Sequence, residues 1–104
     1  MEGKLLQDIV KRVLAVSNPD RIILFGSQAT GQAARDSDID LLILQREVEN
    51  AHDASVSIRA ALNGMGKAFD VIVMRTERFE ETKNVIGGIA YPANKYGKVV
   101  YEAA

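Results

Sequence analysis

The sequence contains no cysteine and only one histidine, His52. Without cysteine the chain has no disulfide bonds and no thiolate metal site, which excludes a disulfide-stabilised secreted scaffold. A single histidine also argues against a zinc site of the usual kind, because such sites draw on cysteine and histidine ligands. His52 follows a charged stretch, and we interpret it as a surface residue rather than a catalytic one.

The sequence also lacks an excess of charge and a long apolar run. Its 13 Lys and Arg residues balance 14 Asp and Glu residues, so the formal net charge is −1. Because a nucleic-acid binder needs a clustered basic surface, we expect no direct nucleic-acid binding. No stretch approaches the roughly 18–20 apolar residues of a membrane span, and the start, MEGKLLQDIV, lacks the features of a signal peptide. We therefore expect a cytoplasmic protein without membrane contact.

The length of 104 residues predicts a single domain over residues 1–104. A chain of this size buries roughly two-thirds of its unfolded surface, which is enough for one core. It leaves no room for a second, substrate-binding domain. Any large substrate must therefore be supplied from outside the chain.

Hydrophobic periodicity predicts alternating helices and short strands. The resulting fold class is α/β (α+β), with a small mixed β-sheet and flanking helices. The strand from Ile22 to Phe25 is wholly apolar, so we expect it to be central in a sheet covered on both sides. The other predicted elements are a helix over Lys4–Val16, a short helix or turn over Ser27–Ala34, a strand over Asp38–Leu44, a helix over Ala51–Leu62, a strand over Phe69–Met74, a helix over Thr76–Ala90, and an edge strand over Lys98–Tyr101. Gly87, Gly88 and Pro92 interrupt the helix over Thr76–Ala90, and Pro92 is expected to end or kink it around Tyr91.

The stretch RIILFGSQATGQAARDSDIDLLIL combines a turn with two carboxylates. Asp38 and Asp40 are two residues apart at a strand entrance, so their side chains point to the same side, roughly 6–7 Å apart. Paired carboxylates are typical ligands of Mg²⁺, which also keeps waters and substrate phosphates. Gly26 allows close approach of the backbone to a phosphate, and Ser27 offers a hydroxyl and exposed amides. The combination predicts magnesium-dependent nucleotide chemistry.

A third carboxylate, Asp70, lies near the start of the strand FDVIVM. If this strand lies beside the one that carries Asp40, with the same facing, Asp70 joins Asp38 and Asp40 in a cluster of three. Spacing alone does not identify Asp70, because a lone aspartate after a glycine-rich turn is common.

Gly-Ser, ten residues and then Asp-x-Asp, followed by an acid on a later strand, resembles the signature of the DNA polymerase β-like nucleotidyltransferases. The segments GSQATG and SDIDLLIL are similar to its minimal nucleotidyltransferase (MNT) branch. The resemblance implies a polymerase β-like palm fold and transfer of AMP from ATP. It further implies two Mg²⁺ ions held by Asp38, Asp40 and Asp70, with Asp70 receiving the proton of the attacking hydroxyl.

The resemblance also implies a partner, a HEPN-domain ribonuclease toxin encoded nearby, which the chain would neutralise as an antitoxin by AMPylating it in a hetero-oligomer. Two alternatives remain. In the first, the chain neutralises its partner by masking the partner's surface, and its own catalytic site is weak. Gln28 keeps this alternative open, because it stands where the family usually has an arginine. Or the acceptor is a small molecule, although the chain lacks a domain to bind one.

Overall fold

The computed structural model describes residues 3–31 and 38–104, which form a four-stranded sheet and five helices. None of the helices in these ranges has the length and apolar character needed to cross a bilayer. In chain order the elements are α1 (Gly3–Val16), β1 (Arg21–Phe25), α2 (Ser27–Thr30), β2 (Ile39–Gln45), α3 (Ala51–Ala61), β3 (Phe69–Arg75), α4 (Thr76–Thr82), α5 (Ala90–Tyr96) and β4 (Lys98–Glu102). This architecture confirms the predicted fold class.

The strand order in the sheet is β3-β2-β1-β4. β1 is antiparallel to both of its neighbours, β2 and β4, whereas β3 is parallel to β2. The parallel pair requires a crossover connection, which α3 provides. The predictions of a central β1, a mixed sheet and a β4 at the edge are confirmed.

The sheet is covered on both faces, as the wholly apolar stretch Ile22–Phe25 of β1 predicts. Along β2, Ile39, Leu41 and Ile43 point to one face, which α1 and α3 cover, and we call this the α1/α3 face. Leu42 and Leu44 point to the other face, which α4 and α5 cover, and we call this the α4/α5 face. The helices contribute Ile9, Val13 and Ile58 to the first cluster and Phe79, Ala90 and Ala93 to the second.

The predicted effect of Pro92 is wrong. Instead of one helix from Thr76 that Pro92 ends, there are two helices, and Pro92 lies in the first turn of α5. Proline is tolerated there because the first backbone N–H groups of a helix have no intrahelical acceptor. The break spans residues 83–89 and includes the two predicted interruptions Gly87 and Gly88, which adopt φ values of 114° and 77°. Such positive φ values favour glycine and are incompatible with helix.

Two predicted bounds differ near the carboxylates. The helix α2 ends at Thr30, with Gly31 as a left-handed C-cap at φ 75°, and residues 32–34 of the predicted segment lie outside the described residues. β2 begins at Ile39, so Asp38 precedes the strand instead of opening it. The ladder between β2 and β3 still extends beyond Asp40 and Asp70, because the N–H of Ile39 donates to the carbonyl of Ala68 at 2.9 Å.

Candidate active site

Asp40 and Asp70 are direct neighbours across two parallel strands. In the β2–β3 ladder, Asp40 pairs with Asp70 and Leu42 pairs with Ile72. Paired residues of a ladder have their side chains on the same face of the sheet. Leu42 and Ile72 belong to the α4/α5 face, and alternation gives the two carboxylates the same facing. They therefore lie side by side where β2 and β3 begin.

The electrostatics of Asp40 show that a third carboxylate is close. Burial raises the pKa of Asp40 above its ordinary value of 3.8, and the negative charges of Asp70 and then Asp38 raise it further. Asp40 is half-buried, whereas Asp38 and Asp70 are exposed. The charges of Asp38 and Asp70 thus act on the carboxylate of Asp40, and a bound cation would reduce the repulsion among the three.

Gly26 lies against the carboxylate of Asp40. Phe25, the last residue of β1, pairs with Asp40, and Gly26 follows it with φ 71° and ψ −155°. This region of backbone conformation is essentially restricted to glycine. A Cβ atom on Gly26 would collide with Oδ2 of Asp40 and come within 3.2 Å of its Cγ. Gly26 is therefore required both by its own conformation and by the position of Asp40.

Ser27 directly follows Gly26 and begins α2, which contacts β1 and β2. The N–H of Ala29 donates to the carbonyl of Gly26 at 3.1 Å, which closes the turn. The turn therefore lies at the same end of the sheet as the three carboxylates. The sequence indicates a role for Gly26 in the approach of a phosphate, but it carries no signal for the contact with Asp40, because that contact depends on the pairing of β1 with β2.

The carboxylates fit a magnesium ion that is shared with a nucleotide. Among the described residues, no three His, Cys, Asp or Glu side chains stand close enough to hold one ion by themselves. Magnesium does not need such a cage, because it usually takes one or two carboxylates and completes its octahedron with water and phosphate oxygens. Asp40 together with Asp38 or Asp70 offers this set of hard oxygen donors. The oxygen donors and their combined negative charge thus fit a magnesium ion.

A known protein family matches most of the chain. The chain matches the family described as polymerase beta, nucleotidyltransferase over residues 7–103, and it therefore belongs to that family. No curated protein shows a significant match to the sequence. The family and the fold together define a nucleotidyltransferase, and they confirm the resemblance seen in the motifs.

Several solved structures share this fold at low sequence identity. One is a toxin–antitoxin with AMP-PNP, with a TM-score of 0.66 and 20% identity over 94% of this chain and 73% of that chain. A second is a proposed nucleotidyltransferase from Sulfolobus solfataricus, with a TM-score of 0.65 and 22% identity over 95% of this chain and 78% of that chain. A third contains a tri-AMPylated HEPN toxin from Shewanella oneidensis in complex with MNT antitoxin, with a TM-score of 0.59 and 18% identity over 99% of this chain and 74% of that chain.

Proposed function

We propose that the protein is a magnesium-dependent nucleotidyltransferase that moves AMP from ATP to a hydroxyl group of a HEPN-domain partner protein. The observation that carries this proposal is the pairing of Asp40 with Asp70 in register, with Gly26 packed against Asp40. The choice of ATP and of a protein acceptor rests on the structural neighbours, one of which holds AMP-PNP and another an AMPylated HEPN toxin.

Each site residue has a distinct role in this proposal. Asp38 and Asp40 hold magnesium, which supplies neutralisation of the phosphate charge when it is bound. Gly26 and Ser27 bind the phosphates of ATP through the backbone and the hydroxyl. Asp70 shares in metal binding and accepts the proton of the acceptor hydroxyl.

The reaction is a single displacement at the α-phosphorus. The acceptor oxygen forms a bond to the α-phosphorus while the bond from that phosphorus to the bridging oxygen of the β-phosphate breaks, and pyrophosphate leaves. The hydroxyl proton passes to Asp70. The protein forms no covalent bond in this step, so its contribution is to position the reactants and to neutralise charge.

The test follows labelled ATP into the partner protein. With the HEPN-domain protein encoded nearby as acceptor, we expect label from the α-phosphate, but not from the γ-phosphate, to appear on the partner, together with an added AMP in its intact mass. Asp38→Asn and Asp40→Asn should lower the rate by about a hundredfold or more, because each removes an electrostatic contact made at the reacting phosphate. Asp53→Asn is the matched control, since Asp53 lies in the exposed first turn of α3. Unchanged transfer in the Asp38 and Asp40 variants would refute the assignment.

Masking of the partner is a second candidate, favoured by Gln28. This residue follows Ser27 at the position where the family usually has an arginine. A masking protein needs only its surface, so Asp38→Asn and Asp40→Asn variants would still protect cells that produce the partner. Loss of protection in these variants, with the complex still forming, would decide for catalysis.

A further inference from the structure

Tyr91, Lys95 and Tyr96 form a cluster on α5, in which Lys95 and Tyr96 are exposed and Tyr91 is half-buried. The Nζ atom of Lys95 lies 5.4 Å from the ring centroid of Tyr96 and 5.6 Å from that of Tyr91. It also donates a hydrogen bond to the hydroxyl of Tyr91 at 3.4 Å. Tyr96 nevertheless leaves 55% of its surface exposed. The cluster thus presents aromatic surface and a positive charge to the solvent.

The cluster lies on the same face of the sheet as the carboxylates. α5 packs on the α4/α5 face through Ala90 and Ala93. Asp40 and Asp70 point to this face as well, because they alternate with Leu42 and Ile72. α5 and the two carboxylates therefore share one face of the sheet.

Tyr96 also lies at the same end of the sheet as the carboxylates. The next residue, Gly97, is so close to β1 that a Cβ atom on it would stand 3.1 Å from the carbonyl oxygen of Leu24. Leu24 precedes Phe25, which pairs with Asp40 at a Cα separation of about 5 Å. The C-terminal end of α5 thus borders the strand that separates it from Asp40.

The other aromatic residues cannot offer a ring to a ligand at this site. Phe25 and Phe79 are buried, and Phe69 and Tyr101 pack against the cluster on the α1/α3 face. These four residues, with Tyr91 and Tyr96, are all the aromatic residues of the sequence. Of the two on α5, Tyr96 is the more exposed and the one adjacent to β1.

We propose that Tyr96 is the residue on which the base of the nucleotide stacks, and that Lys95 is a positioning residue that holds the ring of Tyr96. The inference rests on the proposed function, because it takes the phosphates of ATP to lie at Gly26 and the carboxylates. From there the nucleoside extends over the α4/α5 face toward the end of α5. A flat aromatic ring accepts any base but favours the larger surface of a purine.

The test compares binding of ATP with binding of inorganic tripolyphosphate, both with Mg²⁺, by calorimetry. Tripolyphosphate has no base, so it reports on the phosphate site alone. We expect Tyr96→Ala to weaken ATP binding by about 5- to 150-fold, the range of a lost aromatic–base stack, and to leave tripolyphosphate binding unchanged. Tyr96→Phe is the matched control, because it keeps the ring, and it should bind ATP as the wild type does.

Three further results separate the possible failures. Asp40→Asn should weaken the binding of both ligands, and if it weakens neither, the proposed function itself is wrong. If Asp40→Asn acts as expected but Tyr96→Ala binds ATP like the wild type, stacking on Tyr96 is refuted while the proposed function stands. Lys95→Met should weaken ATP binding only. An equal loss for tripolyphosphate would instead make Lys95 a phosphate ligand and would contradict its role as a positioning residue.

Discussion

The contact between Gly26 and Asp40 makes the variant Gly26→Ala informative. Alanine must adopt φ 71° and ψ −155°, which costs about 1–3 kcal/mol of folding free energy in this glycine-specific region. In a domain of this size each 1 kcal/mol lowers Tm by about 4–8 °C. The new Cβ atom would also collide with the carboxylate of Asp40. Moving the carboxylate by roughly 1 Å costs about a hundredfold in the rate of a positioned reaction.

The assay measures both quantities on the same protein. Thermal unfolding gives the loss of stability, and transfer of α-labelled AMP to the partner gives the loss of rate. Gly31→Ala is the matched control, because Gly31 also has a positive φ, 75°, but a Cβ atom there meets no atom of the described residues within 4 Å. It should lose stability through the same kind of backbone strain and keep the wild-type rate. A Gly26→Ala variant that loses stability but transfers AMP at the wild-type rate would refute the idea that Gly26 sets the position of Asp40.

Two further variants test the packing and the charge of the site. Gly97→Ala should lose about 1–3 kcal/mol of stability, because its Cβ atom would collide with the backbone of α5 and stand 2.7 Å from Cγ2 of Ile23. The control Gly3→Ala should fold as the wild type does, because a Cβ atom on Gly3 meets nothing within 4 Å in the part of the chain that the structure describes. Equal Tm values for the wild type and both variants would contradict this packing. Asp40→Asn should raise Tm at pH 7 in the absence of Mg²⁺. The raised pKa of Asp40 means that the folded state holds this proton more tightly than the unfolded chain, so the cost of ionising Asp40 grows as pH rises above 3.8. The gain in Tm should shrink toward pH 3.8, and a gain that does not depend on pH would contradict a charge origin.

The sequence predicts those parts of the site that depend on local geometry. Asp38 and Asp40 are recognisable as candidate ligands because two carboxylates stand two residues apart where an apolar run begins. Gly26 and Ser27 are recognisable because they end an apolar run. Local sequence therefore suffices to propose these four residues as a candidate site.

Other features depend on contacts between distant segments. The position of Asp70 beside Asp40 follows from the parallel register of β2 and β3, which α3 connects, and the sequence contains no local signal for it. The contact of Gly97 with β1 is likewise invisible before α5 is placed. The prediction that Pro92 ends or kinks a helix is wrong for a related reason. The effect of a proline depends on whether it falls in the first turn of a helix, and the start of α5 is not evident from the sequence.

The proposal that Asp40 and Asp70 jointly bind the metal is tested most directly by measuring the binding of Mn²⁺ together with ATP by electron paramagnetic resonance. We expect the wild-type protein to bind the metal–nucleotide complex. Asp40→Asn and Asp70→Asn should each bind it at least about tenfold more weakly, since a loss of only 1.4 kcal/mol in charge attraction gives that factor. Asp53→Asn should bind it like the wild type. Wild-type affinity in both the Asp40 and the Asp70 variants would show that these two carboxylates do not form a metal–nucleotide site.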